Sequence, residues 1–135
     1  MRILIVEDEM LIALVAEDDL TEAGHEVVGI AATAERAVEL ATALRPDLAL
    51  MDVRLASARD GIDTATEFRH RLGIPAILAT GSMDAENLRR AASAAPLEWL
   101  VKPYTSDQLR AAVARAARCV PSRMDPPLEA EGGMA

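Results

Sequence analysis

A chain of 135 residues with 22 acids, 14 Lys and Arg, and a net charge of −8 is long enough for one domain and short for two. Its acidity argues against a phosphate-backbone binder, and Phe68, Trp99 and Tyr104 are too few aromatics for a base-stacking platform. A single cysteine, Cys119, excludes an internal disulfide or a thiolate metal cluster and fits a reducing, cytoplasmic setting.

The first apolar run, residues 3–6, predicts a strand and stops against Glu7, Asp8 and Glu9, too soon for a signal peptide or a membrane span. Helix one follows and closes at Gly24, with Ile12, Val15, Ala16, Leu20 and Ala23 as its expected core face. Met10, Leu11 and Leu14 fall outside that stripe. Residues 27–31 predict strand two, Thr33 is the expected N-cap of helix two, and Pro46 follows that helix. Residues 48–51 form strand three, with Asp52 directly after it and a helix ahead of Gly73. Residues 76–79 form strand four and lead into Thr80 and Gly81, after which Asp84 caps a helix that ends before Pro96. Strand five, residues 97–101, runs into Lys102 and Pro103, and Thr105 caps the last helix. From Pro121 onward, prolines, acids and glycines predict a disordered tail, giving a domain at 1–120 and a tail at 121–135.

Continuous apolar runs indicate strands buried on both faces, and the gaps between them each hold one crossover helix. The expectation is a doubly wound α/β domain, a five-stranded parallel sheet with right-handed crossovers. In such a sheet chemistry collects at the carboxyl ends of the strands. Those ends carry Glu7 and Asp8, Asp52, Thr80 and Gly81, and Lys102 and Pro103, whereas strand two ends in a bland helix start. That silence suits the strand order 2-1-3-4-5, which puts strand two at the far edge.

Three carboxylates gathered at one end repel unless a proton or cation intervenes, and an all-oxygen set completed by water suits Mg²⁺. The turn after strand one lacks the glycine-rich patterns of nucleotide sites. Lys102 is the one lysine in a chain with thirteen arginines, a choice that favours a flexible point charge over a rigid fork. A lysine, a hydroxyl and backbone N–H groups around such a carboxylate suit a phosphoryl group in transfer. His25, His70 and Cys119 are expected at the surface or in helix five, away from the chemistry.

Taken together, these residues resemble the receiver domain of two-component response regulators over about residues 1–120. Glu7 and Asp8 are similar to its acidic pair, Asp52 to its phosphoacceptor, Gly61 to the glycine that opens helix three, Thr80 with Gly81 to its switch hydroxyl and small neighbour, and Lys102-Pro103 to its lysine–proline pair. The resemblance implies a flavodoxin-like (βα)5 fold and a Mg²⁺ held by Glu7, Asp8, Asp52 and the backbone carbonyl of Arg54. It implies that Asp52 takes a phosphoryl group from a histidine kinase or histidine phosphotransfer protein, with Lys102, Thr80 and Gly81 meeting its charge. Thr80 and Trp99 would switch the helix 4–strand 5–helix 5 face toward a downstream protein target, and Lys102-Pro103 would be cis. Such a module phosphorylates only itself and is no enzyme on an external substrate; with no output domain expected in cis, it reads as a stand-alone regulator or phosphorelay member. Three features depart from the family pattern: Ala56 replaces a usual proline, Gly61 stands nine residues after Asp52, and Arg54 lies two beyond it.

The alternative is a phosphorylation-independent pseudo-receiver, against which the set Asp8, Asp52, Thr80 and Lys102 argues. A phosphohydrolase of the haloacid dehalogenase kind wants an acid where Arg54 stands. A regulator cut from its DNA-binding half is the third rival.

Overall fold

The computed structural model describes residues 1–120, so the tail expected at 121–135 lies outside the described residues. Five parallel strands form one sheet in the order β2-β1-β3-β4-β5. They are β1 (Arg2–Val6), β2 (Glu26–Ala31), β3 (Leu48–Asp52), β4 (Ala76–Thr80) and β5 (Glu98–Val101). The helices are α1 (Met10–Glu22), α2 (Ala34–Leu44), α3 (Gly61–Glu67), α4 (Ala85–Arg90) and α5 (Ser106–Ala117). The apolar runs predicted all five strands to within a residue or two at either end. Every residue of β3 and β4 is buried, as a central parallel strand requires.

Two apolar layers flank the sheet. On one side Leu4, Met51, Ile62, Phe68 and Leu78 pack with α2 and α3; on the other Ile5, Leu20, Leu50, Ile77 and Leu109 pack with α1 and α5. The three expected caps form: Thr33, Asp84 and Thr105 accept hydrogen bonds from the backbone N–H groups of Arg36, Asn87 and Gln108. Gln108 returns the favour to the Thr105 N–H at 2.8 Å, completing a capping box.

Helix α1 corrects the expected wheel. Ala13, Ala16 and Leu20 are its buried residues, whereas Val15 is 53% exposed and Ala23 is also exposed. The helix is rolled so that two alanines face the sheet, which lets α1 approach closely, and Val15 turns instead toward a groove beside α5. His25 is likewise half-buried, with Nδ1 3.0 Å from the N-terminal ammonium. Cys119 is exposed in the turn just beyond α5.

The connection from β3 to α3 sets the geometry around Asp52. The Gly61 N–H donates to the Val53 carbonyl at 2.7 Å, drawing the start of α3 against the end of β3. A Cβ at Gly61 would stand 1.9 Å from the backbone oxygen of Asp52 and 2.8 Å from its carbonyl carbon. Neither neighbour is a side chain that could swing aside. Gly61→Ala should therefore force α3 off the strand and cost about 2 kcal/mol or more, read as a drop in the urea midpoint.

Candidate functional site

Because β1 and β3 are adjacent and in register, Val6 against Met51, the residues that follow them emerge side by side. Asp52 is still within the sheet, opposite Ala79, and Thr80 ends β4 opposite Val101. One carboxylate oxygen from each of Glu7, Asp8 and Asp52 lies within 4.8 Å of the other two, with Glu7 and Asp52 buried and Asp8 exposed. Hard oxygen donors of this number, open to water on the Asp8 side, fit a hexacoordinate Mg²⁺.

Lys102 reaches into the cluster from the end of β5. Its Nζ is 3.0 Å from Asp52 Oδ2 and 3.2 Å from Glu7 Oε1. Lys102 thus pairs with Asp52 and Glu7 and not with the adjacent Asp8. The reason is that Glu7 turns inward beneath the strand ends while Asp8, the next residue, faces solvent. Burial, together with the hydrogen bond and negative charge of Asp52, raises the Glu7 carboxyl to about 7. Burial alone would lower the Lys102 ammonium, but Asp52 and Glu7 outweigh it and hold the group above its ordinary value.

The other predicted residues line a cleft of about 450 Å³ beside Asp52, bounded by Arg54, Thr80, Gly81, Asp84 and Asp60 among others. The Arg54 N–H donates to Asp52 Oδ1 at 3.2 Å, while its guanidinium side is exposed. The buried Thr80 hydroxyl donates to the Ser82 carbonyl at 2.9 Å and accepts from the Ser82 N–H at 3.1 Å. Trp99 stands apart from these, half-buried against the α3 side of the core and along a groove between β5 and α5. Lys102-Pro103 is cis.

Tyr104 was not singled out in the sequence beyond its aromatic ring. It packs under the strand ends with Ile5, Leu50 and Ala79, and also lines the groove between α1 and α5. Burial first, then the charge of Glu7, pushes its phenol up to about 12. The available signal was its place between the end of β5 and the start of α5, two residues after Lys102.

The sequence matches the family described as the response regulator receiver domain over residues 3–114. This chain is a receiver domain. A transcriptional regulatory protein, PdtaR of Mycobacterium tuberculosis, is 39% identical over 112 residues, covering 83% of this chain and 54% of its own. The chemotaxis protein CheY of Thermotoga maritima is 28% identical over 118 residues, covering 87% of this chain and 98% of CheY. Among solved structures, the signal receiver domain of a modulated diguanylate cyclase from Desulfovibrio desulfuricans superposes with a TM-score of 0.80 at 36% identity, covering 87% of this chain and 94% of that one. The receiver thus spans about half the length of PdtaR and nearly all of CheY. Among the described residues, no helix is long and apolar enough to cross a membrane.

The raised Glu7 carboxyl carries a stability signature. A carboxyl at about 7 in the fold, against 4.5 as its ordinary value, binds its proton more tightly folded than unfolded. Its contribution is therefore present below pH 4.5 and is lost as the pH rises to 7. With chelator present, Glu7→Gln should gain stability over the parent receiver at pH 8 and show little gain at pH 5, measured as urea midpoints. An equal shift at both pH values would contradict the assignment.

Proposed function

We propose that this receiver takes a phosphoryl group onto Asp52 from a phosphohistidine on a histidine kinase or histidine phosphotransfer protein. The observation that carries the proposal is the Asp52 carboxylate at the end of β3, 3.0 Å from Lys102 and sharing a cluster with Glu7 and Asp8. A carboxylate oxygen of Asp52 forms the new O–P bond as the N–P bond to the donor imidazole breaks, leaving an acyl phosphate. Glu7, Asp8, Asp52 and the Arg54 carbonyl are the oxygen donors for Mg²⁺, which, when bound, screens these carboxylates from the phosphoryl oxygens.

The chain's own groups complete the site. Lys102 neutralises Asp52 in the resting state and meets a phosphoryl oxygen in the product. The Thr80 hydroxyl exchanges its Ser82 partners for the phosphoryl group, with Gly81 leaving room beside it; no side-chain Cβ at Gly81 would meet any atom within 4 Å. Arg54, exposed at the cleft, supplies a second cation and limits the approach of water. Once Thr80 moves, the α4–β5–α5 face changes, where Met83, Leu88 and Val101 are exposed apolar residues that a downstream protein can cover. Trp99 lies on that face and is the proposed aromatic member of the switch.

Donor docking falls to α1. Met10, Leu11 and Leu14 are 58%, 76% and 47% exposed, beside the acidic cluster and the groove of about 300 Å³ formed with Pro103 and Tyr104. An apolar patch of this kind fits the helical surface that carries a phosphohistidine. Such a donor places the reaction in the cytoplasm.

Two experiments test this reading. Acetyl phosphate with Mg²⁺ should add one phosphoryl mass to the receiver and none to Asp52→Ala; an unlabelled parent protein would instead identify a phosphorylation-independent binding module. Leu14→Glu should slow transfer from a phosphohistidine donor roughly tenfold while leaving acetyl phosphate labelling unchanged. Equal loss with both donors would rule out docking through α1.

A further inference from the structure

The cleft beside Asp52 carries two acids on its rim, Asp60 and Asp84, against one cation, Arg54. Both acids line the cleft beside the proposed acceptor, so the charge of each opposes an incoming phosphoryl dianion unless a cation or hydrogen-bond donors offset it. Asp84 is engaged as the cap of α4, accepting from the Asn87 N–H at 2.8 Å and from the Ser82 hydroxyl at 3.3 Å. Asp60 caps α3 with one oxygen, accepting from the Asp63 N–H at 3.0 Å. Its other oxygen is 2.8 Å from Arg90 Nη2, and the same guanidinium is 3.3 Å from Asp63 Oδ1.

Arg90 is the last residue of α4 and Asp60 the residue just before α3, thirty positions away. The pair is partly shielded, with side chains 34% and 30% exposed, so its charges are less screened than a fully exposed pair. Asp60 also precedes Gly61, whose N–H holds the end of β3 through the Val53 carbonyl. The guanidinium, shared between Asp60 and Asp63, therefore acts on the cleft twice: it offsets the charge of one of the two rim carboxylates, and it fixes the loop wall to which that carboxylate belongs.

We propose that Arg90 is a positioning residue for phosphoryl acceptance, acting through Asp60 to neutralise and hold the rim of the cleft. The proposal rests on Asp52 being the acceptor, as argued above. Because Arg90 belongs to α4, it also makes the charge of the cleft depend on where that helix lies. Movement of α4 away from α3 re-exposes the Asp60 charge to the phosphoryl group.

The test follows labelling by acetyl phosphate and Mg²⁺ with intact-protein mass spectrometry. Arg90→Ala should label about fivefold more slowly than the parent. Adding Asp60→Asn, which keeps the cap but removes the charge, should restore the rate to within about twofold. Arg90→Lys should retain most of the rate. A purely structural role for Arg90 predicts no rescue by Asp60→Asn, and that result, or an Arg90→Ala protein that labels at the parent rate, overturns the proposal. Asp60→Asn alone keeps the test independent of how well Arg90→Ala folds: it should label at least as fast as the parent, and slower labelling also overturns the proposal. Failure of the parent itself to label would instead overturn the assignment of Asp52.

Discussion

The structure turns on holding three carboxylates at one end of a parallel sheet with a single ammonium among them. Glu7 and Asp52 are buried, and buried acids are tolerable only when paired or protonated. Lys102 supplies the pairing for both, while burial and the neighbouring Asp52 hold the Glu7 carboxyl above its ordinary value. The rest of the fold serves that arrangement. The adjacent central strands β1 and β3 deliver the acids side by side, β5 delivers the lysine, and Tyr104 closes the apolar floor beneath them.

Much of this could be read in the chain itself. Apolar runs marked the strands because a parallel sheet buries both faces, and the polar residues after four of the five runs marked the candidate site because strand ends point the same way. The caps at Thr33, Asp84 and Thr105 were legible because capping is local. What was not legible depends on how elements roll and approach. Neighbouring acids Glu7 and Asp8 look equivalent on paper, and only the fold turns one inward. The stripe of α1 was misplaced because bulky Val15 was weighted over Ala13, although closeness to the sheet favours the smaller residue.

The loop between Asp52 and Gly61 was visible only as an odd length. In the fold it is anchored on two sides. Arg90 of α4 grips Asp60 at one end. Toward the other, the Ser57 hydroxyl accepts from the Ala34 N–H at 3.2 Å while donating to the Arg59 carbonyl at 2.9 Å, and the Ala56 N–H points at the Ala32 carbonyl. No periodicity or motif announces partners so far apart in sequence.

That second anchor ties two segments into one unit. The first turn of α2 takes one of its caps from Ser57 in the loop after Asp52 and another from its own Thr33. A loop without Ser57 in this place would take from the Ala34 amide, at the head of α2, its side-chain partner. Loop length and the opening of α2 are therefore coupled, so transplanting the segment between Asp52 and Gly61 requires carrying the head of its neighbouring helix with it.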